Sequence, residues 1–467
     1  MGTRADSIDL LRGLAIVGMV LSGQTLWHSD LPAWMFHAQV PPPDFRFDPS
    51  VPGITWVDLV FPFFLFSMGA AFPLALRRKL ELKGESVAAV VLGIVQRWAL
   101  LALFAIALAN LRPGVLGALP GWTAALMQLA AWGCFGALFL RLDRLSPRQN
   151  RTMHACGLAG LLLLMAGAKW LGGAKVSVHN SDIIILVLAN MALAGSLTWL
   201  ATRNSIRARM GVLALLVAVR LGTEVDGSWN QALWNWSPVP WLFRFDYLKY
   251  LCLILPGTIA GELFWQRMQR QPADSPQTDR QPHAALVVAG AAALVAVNMW
   301  GLFTRHLTIN LAASVVLGLA LRALLRRNDT PTGVLHRRLF DWGLFWLVLG
   351  LCLEAFEGGI KKDHATLSYF FVTSGLASCV LIAANTAMRQ WGVRFGALVK
   401  CGRNPMVAYT AAGFLLMPLL TLTHTAPWLQ RLAELSPWMG VVRGALVTAA
   451  VMGITVLFTN KRLFWRT

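Results

Sequence analysis

The sequence predicts an all-α, polytopic integral membrane helix bundle with about 12–14 transmembrane helices and both termini in the cytoplasm. The first observation is composition: the 467 residues are 56% hydrophobic and 13% charged, whereas a soluble domain carries about 25% charged residues. The second is a series of long apolar runs. The third is the uneven distribution of Lys and Arg between the connections that join these runs.

Each apolar run approaches the length of about 20 residues that a helix needs to cross the hydrocarbon core. The runs lie near residues 8–27, 54–76, 87–110, 120–140, 152–171, 183–201, 208–222, 248–265, 284–304, 308–325, 339–356, 369–388, 404–424 and 437–458. The run at 208–222 is the shortest. None alternates with period two, so the runs predict helices and not strands.

If the first run leaves the cytoplasm, most of the 41 Lys and Arg lie in cytoplasmic segments. This bias predicts a multi-pass protein of a bacterial inner membrane. It also accounts for the net charge of +19 without a nucleic-acid partner.

A Gln- and Pro-rich stretch at 266–283 predicts a flexible cytoplasmic linker. It divides the chain into an N-terminal transmembrane half, residues 1–265, and a C-terminal half, residues 284–467.

Two polar residues stand out at the predicted external mouth. The connection 28–53 is rich in Pro and aromatic residues, so we expect it to fold back onto the bundle. Within it, His37 suits a general base or nucleophile; alternatively, it only satisfies hydrogen bonds of the loop. Asp58, one turn inside the second helix, is a functional candidate because carboxylates are costly in membranes; alternatively, it favours the helix dipole. Pro62 is expected to kink this helix and free a carbonyl group.

At the predicted cytoplasmic mouth, Asp9 and Arg12 share one helix face. Arg side chains bind phosphate bidentately, and Arg97, Arg403 and Asn404 are predicted on the same side. The alternative is an ordinary anchor of the helix end, paired with an acid.

Two further external loops carry polar chemistry. Residues 224–247 interleave Trp229 and Trp234 with acids and amides, a pattern that suits a sugar; the alternative is an interfacial aromatic belt. Lys361 and Lys362 lie on the side that membrane proteins normally keep poor in lysine, which indicates an anionic substrate or an acid partner. No metal-binding or phosphate-loop motif is found.

Several motifs resemble, in the same order, those of the heparan-α-glucosaminide N-acetyltransferase-like family of the transmembrane acyltransferase superfamily. The first 80 residues carry the strongest resemblance, and the middle third is similar only in hydropathy. The motifs are Ser7-Ile-Asp9-Leu-Leu-Arg12-Gly13 after Arg4, His37-Ala38, Gly53-Ile-Thr55-Trp-Val-Asp58 through Phe66, Ile360-Lys361-Lys362 with Ser368-Tyr369, and Gly402-Arg403-Asn404-Pro405 with Tyr409.

The resemblance implies a membrane acyltransferase that moves an acetyl or other acyl group from cytoplasmic acyl-CoA to an amino sugar or related glycan on the periplasmic side, without a metal. The expected partners are acyl-CoA, the acceptor, membrane lipid and a second copy of the chain in a homodimer. His37 matches the family's catalytic histidine and Asp58 would orient it or the acceptor. The competing hypothesis is an amino-sugar transporter of the N-acetylglucosamine type.

The resemblance also assigns the remaining candidate residues to two binding sites. Asp9, Arg12, Arg97, Arg403 and Asn404 would bind acyl-CoA at the basic mouth. Gln24, Trp229, Trp234 and Lys362 would bind the acceptor. Where the family has Asn at the end of the first helix, this chain has Gly23, and Ser22 or Gln24 is expected to supply the polar group.

Overall fold

The structure is a computed structural model that describes residues 5–27, 29–117, 119–170, 172–269, 281 and 283–467. Most of the predicted linker 266–283, namely 270–280 and 282, lies outside the described residues, as does Arg4 of the first motif.

Every predicted apolar run folds as a helix, and no β-strand is found among the described residues. The fourteen long helices are α1 (Asp6–Ser22), α2 (Trp56–Arg77), α3 (Val87–Asn110), α4 (Gly121–Phe139), α5 (Pro147–Trp170), α6 (Ile183–Thr202), α7 (Ile206–Leu221), α8 (Leu251–Gln269), α9 (Ala284–Phe303), α10 (Leu307–Arg326), α11 (Pro331–Cys352), α12 (Leu367–Gln390), α13 (Pro405–Leu422, with a π-helical turn at Ala412–Leu416) and α14 (Pro437–Asn460).

The prediction of an all-α polytopic membrane helix bundle is confirmed. Among the described residues, eleven helices are long and apolar enough to cross a membrane, against the 12–14 expected. The other three are α1, α7 and α11. With 17 residues, α1 is about 25 Å long at 1.5 Å per residue, and α7 is shorter. The first half of α11 carries Arg337, Arg338 and Asp341.

Several helices begin where the sequence supplies a side chain that accepts the backbone N–H three residues later, as N-cap residues do. These N-caps are Ser86, Asp182, Ser205, Thr330, Thr366 and Ser436.

The start of α1 and the segment that follows α14 lie at the same face of the bundle. Arg403 binds Asp6, which opens α1, through a 2.6 Å contact, and the adjoining Asn404 donates to the carbonyl oxygen of Leu463 (2.9 Å), just beyond α14. We call this the terminal face. The opposite face carries residues 23–55 and is called the loop face.

The central helices α2 and α8 approach each other closely because α8 carries a Gly-x-x-x-Gly motif. A Cβ atom at Gly257 would stand 2.2 Å from the carbonyl oxygen of Phe66, and one at Gly261 would stand 2.1 Å from that of Ala70. Such small residues let membrane helices meet backbone to backbone. α2 is thereby fixed at the centre, where it also contacts α1, α6 and α12.

The loop that follows α1 folds back onto the bundle, as expected from its composition. Leu31, Met35 and Phe36 are buried. The ring of Phe36 packs against Trp27 and Phe45, with centroids 5.8 and 4.8 Å away. The apolar residues of this loop thus cover the loop-face end of α1 and α2.

We expect Gly261→Leu to lower the free energy of unfolding by about 1–3 kcal/mol, the usual cost of overpacking, because the new side chain meets the backbone of α2. The matched control is Gly453→Leu, since Gly453 of α14 has open space around it. Thermal melting in detergent compares the two variants. Equal melting temperatures would contradict the close α2–α8 contact.

Candidate active site

The first turn of α2 contains a fully buried carboxylate, Asp58. Its Oδ2 accepts the backbone N–H of Thr55 at 2.9 Å, which is the reciprocal half of a capping box. The same oxygen accepts the backbone N–H of Ala38 at 3.2 Å. Since a buried charge is costly unless it is hydrogen-bonded, these amide groups stabilise both the carboxylate and the helix start.

The other carboxylate oxygen of Asp58 binds His37. His37 Nδ1 lies 2.6 Å from Asp58 Oδ1. Because a carboxylate only accepts hydrogen bonds, this contact assigns a proton to Nδ1 and leaves Nε2 of the neutral ring with its lone pair. The His37 side chain is 26% exposed whereas Asp58 is closed to solvent. The pair therefore has the geometry of a base with an orienting carboxylate.

The residues on either side of His37 are tied to the start of α2. The hydroxyl of Thr55 donates to the carbonyl oxygen of Phe36 at 2.6 Å, and Ala38 donates to Asp58. The position of His37 is thus set by backbone contacts and not only by its own side chain.

Pro62 has the expected effect on a carbonyl group. Proline lacks an N–H, so the carbonyl oxygen four residues earlier, that of Asp58, has no partner within the helix. The hydroxyl of Tyr369 on α12 donates to this oxygen at 2.5 Å. This hydrogen bond fixes α12 against the same residue that orients His37.

Two loops of the loop face meet beside this pair. Gly53 donates its N–H to the carbonyl oxygen of Ile360 at 2.7 Å, and Gln39 donates to the carbonyl oxygens of Val51 and Gly53 at 3.0 and 3.2 Å. Gly53 has φ +120°, and a Cβ there would stand 3.0 Å from the Leu302 carbonyl oxygen. Only glycine suits this junction.

The junction brings Lys362 to His37. Its Nζ lies 3.3 Å from Nδ1 and 3.4 Å from Nε2 of the imidazole, and 3.5 Å from Asp363 Oδ2. The lysine that departs from the predicted charge distribution therefore lies between the candidate base and a carboxylate.

His37 opens into a cavity of about 560 Å³, which we call the histidine cavity. Its polar lining includes Gln24, Trp27, His37, Lys362 and Asp363, and its apolar wall comes from α1, α2 and α6. Polar groups at one side of an apolar cavity are typical of a small-molecule site.

A second cavity of about 320 Å³, the arginine cavity, is lined by Arg12, Arg97 and Arg466 and otherwise mainly by apolar side chains. Arg12 donates to the carbonyl oxygens of Ser67 and Gly402 at 3.1 and 3.2 Å. For Arg97, in contrast, no hydrogen bond or ion pair is found among the described residues, and its buried Nε has no acceptor. Within the described part of the chain, the Arg97 guanidinium group in this cavity thus has no acidic partner.

The two cavities adjoin. Met19, Ile184 and Tyr409 line both of them, and the Tyr409 hydroxyl donates to the carboxylate of Asp182 at 3.1 to 3.2 Å. From Arg12 to Met19, α1 rises about 10 Å. The arginines and His37 thus lie at opposite ends of one row of cavities, with these three side chains as the partition.

Asp9 and Arg403 form ion pairs next to the arginine cavity. Asp9 lies 3.2 Å from the Nη1 of Arg12 and 3.3 Å from the Nε of Arg403, so it positions Arg12. Arg403 is occupied by Asp9 and Asp6 and is not among the described residues that line the cavity.

Asn404 is fully buried and holds the carboxy-terminal segment. Its amide donates to Leu463 at 2.9 Å, and its Oδ1 accepts the N–H of Trp465 at 3.2 Å. Trp465 and Arg466 line the arginine cavity. Asn404 therefore shapes the cavity wall through the segment it holds.

The residues predicted for the acceptor separate into two pairs. Gln24 and Lys362 line the histidine cavity. Trp229 is 68% exposed, and Trp234 lies under the guanidinium of Arg220, 5.0 Å from its ring centroid; neither is among the described residues that line the cavity.

Sequence reasoning missed Tyr250, which lines the histidine cavity, and Arg466, which lines the arginine cavity. Tyr369 was quoted within a motif, but its role was not predicted. The free carbonyl group expected from Pro62 indicates that a hydrogen-bond donor must lie nearby. It does not identify this donor as Tyr369.

The model of a family described as a domain of unknown function (DUF5009) matches residues 4–265, more than half of the chain. The chain belongs to the DUF5009 family. A comparison with curated proteins gives no match. The DUF5009 match contains Arg12, His37, Asp58 and Arg97, whereas Lys362 lies beyond it.

We expect Asp58→Asn to loosen the loop around His37, because the amide that replaces one carboxylate oxygen cannot accept a hydrogen bond. An unsatisfied buried partner costs about 1–3 kcal/mol, so hydrogen exchange at the amides of Ala38 or Thr55 should accelerate roughly 5- to 150-fold. Asp44→Asn, in an exposed position of the same loop, is the control. Unchanged exchange at both amides would contradict the role of the carboxylate.

Proposed function

We propose that this protein is a membrane acyltransferase, which moves an acetyl or other acyl group from cytoplasmic acyl-CoA to an amino sugar or related glycan on the periplasmic side of a bacterial inner membrane. The observation that carries the proposal is the row of two adjoining cavities, with the guanidinium groups of Arg12 and Arg97 at one end and the His37–Asp58 pair at the other.

The arginine cavity suits the donor. Arg12 and Arg97 offer guanidinium groups, which bind phosphate strongly. No described residue forms an ion pair with Arg97, so a bound phosphate would compensate a charge that is otherwise costly in a membrane protein. The apolar remainder of the wall suits the uncharged arm of the coenzyme, and the partition at Tyr409 marks where its thioester would enter the histidine cavity.

The histidine cavity suits the transfer itself. With Nδ1 bound to Asp58, the Nε2 of His37 is free to accept a proton from the acceptor. The acceptor nitrogen attacks the thioester carbonyl carbon as this proton is removed. Collapse of the intermediate breaks the carbon–sulfur bond, and the departing thiolate takes the same proton. Alternatively, Nε2 itself attacks the thioester carbon and the carbon–sulfur bond breaks as the thiolate leaves. The acceptor nitrogen then attacks the acyl group on His37, the bond from carbon to Nε2 breaks, and the thiolate takes the acceptor proton. Both routes need the orientation that Asp58 provides.

An amino-sugar transporter is the second candidate, because a row of cavities across the bundle is also what a carrier needs. It gives no chemical role to the hydrogen-bonded His37–Asp58 pair. The two functions differ in whether an acyl donor is required.

We expect membranes that contain the protein to transfer label from radioactive acetyl-CoA to an amino sugar, and His37→Ala to lower this transfer by at least about 100-fold, as expected for loss of a general base. His179→Ala, an exposed histidine in another loop, is the control. Transfer that persists in folded His37→Ala would reject the role of His37. Uptake of unmodified sugar into vesicles without any acyl donor would favour the transporter.

We expect Arg97→Gln to raise the KM for acyl-CoA by roughly 10- to 100-fold, the worth of one charge-assisted hydrogen bond, with little effect on the KM for the acceptor. Since Arg97 has no ion-pair partner among the described residues, its loss leaves none of their acids unpaired, and the variant should stay folded. Arg322→Gln, which removes an arginine paired with Asp341 away from both cavities, is the control. An unchanged KM for acyl-CoA would place the donor elsewhere.

A further inference from the structure

The ammonium group of Lys362 is close to His37 without occupying its reactive nitrogen. Its distances to Nδ1 and Nε2 are nearly equal, 3.3 and 3.4 Å. The lone-pair directions of the two nitrogens diverge in the ring plane, so an atom in line with one of them would be much farther from the other. The ammonium therefore lies beside the ring, and Nε2 stays available to the cavity.

The backbone around Lys362 is anchored on both sides. Ile360 accepts the N–H of Gly53 at 2.7 Å. On the other side, Glu357 accepts the N–H of Leu367 at 2.7 Å and is itself held by Arg220 at 2.8 Å. The side chain of Lys362 is 24% exposed. The flexible side chain of Lys362 thus extends from a loop whose backbone is hydrogen-bonded on both sides, at the edge of the cavity.

The proposed acyl transfer creates a negative charge next to Nε2. When a nucleophile attacks a thioester, the π electron pair of the carbonyl group moves onto its oxygen, and stabilising this oxyanion is usually the largest single contribution to such catalysis. Of the described residues that line the histidine cavity, Lys362 is the one Lys or Arg.

We propose that Lys362 is a catalytic residue whose ammonium group binds the carbonyl oxygen of the acyl group as it becomes an oxyanion. This role rests on the proposed acyltransferase function. As the acceptor nitrogen forms its bond to the carbonyl carbon, Nε2 of His37 takes the acceptor proton and Lys362 binds the negative oxygen. The carbonyl group then re-forms, the carbon–sulfur bond breaks, and the thiolate leaves with the proton from Nε2.

The same position argues against Lys362 as a site for an acidic group of the acceptor. An acceptor carboxylate or phosphate bound to this ammonium would stand within a few ångströms of Nε2, in the space that the reacting carbonyl group needs.

The experiment replaces and then restores the ammonium group. Lys362→Cys, alkylated with bromoethylamine, regains a side chain of lysine length and charge, whereas iodoacetamide adds a neutral group of similar size. With acetyl-CoA and glucosamine, which has no acidic group, we expect kcat to fall roughly 100- to 1,000-fold in Lys362→Cys. Bromoethylamine should restore most of it and iodoacetamide should not, while the KM for glucosamine stays nearly constant.

Lys361→Cys is the matched control. Its side chain does not line the cavity and lies near Asp48, whose pKa is lowered mainly by hydrogen bonds from Ser50 and least by Lys361. Wild-type protein treated with both reagents controls for the native cysteines. Lys362→Arg and Lys362→Met, compared as folded protein by thermal melting, repeat the test without alkylation, and Arg should retain more kcat than Met.

The outcomes separate the two proposals. A kcat in Lys362→Cys equal to that of wild type, equal recovery with both reagents, or an effect on KM alone overturns the role of Lys362 while the acyltransferase function stands. Absence of transfer by the wild-type protein rejects both.

Discussion

The buried carboxylate of Asp58 couples three parts of this protein that are distant in sequence. In a low-dielectric interior its oxygens need hydrogen-bond donors, and these come from Thr55, Ala38 and His37. Its own carbonyl oxygen, left free by Pro62, receives Tyr369 from α12. The start of α2, the loop around His37 and the position of α12 therefore cannot vary independently. The loop residues on either side of His37 are thereby hydrogen-bonded to the start of α2.

The arginine cavity, at the opposite end of the row, differs from Asp58 in how its charge is compensated. The charges of Arg12 and Arg97 repel each other, and of the two only Arg12 has an ion pair with a described acid, Asp9. An uncompensated cation inside a membrane bundle lowers stability. In the proposed function a phosphate group of the donor would compensate it. The two ends of the row thus differ. At one end the Asp58 carboxylate has its hydrogen-bond donors within the protein and orients His37. At the other end the arginines can bind an external anion.

The sequence predicts the features that depend on local pattern. The length of the apolar runs predicts the helices, and Asp58 stands out because a carboxylate is costly inside an apolar run. Contacts between segments that are distant in the chain cannot be predicted in this way. Lys362 meets His37 across 325 positions of the chain, through a loop junction that requires Gly53. Trp229 and Trp234 share the composition of a sugar site, yet the fold of their loop turns them away from the cavity. Arg466 reaches the arginine cavity because Asn404 holds the segment before it.

The DUF5009 match at residues 4–265 includes His37, Asp58, Arg12 and Arg97, but not all residues of the candidate site. Lys362 and Tyr409 line the histidine cavity from beyond the match, and Tyr369 binds the Asp58 carbonyl from there as well. In the proposed reaction the first part of the chain holds the donor and moves the proton. The second part supplies Tyr409 of the partition and the positive charge that faces the reacting oxygen. Neither part has an oriented base and an adjacent cation by itself. Catalysis would therefore depend on how the two parts pack, which makes the α2–α12 contact a functional constraint as well as a structural one.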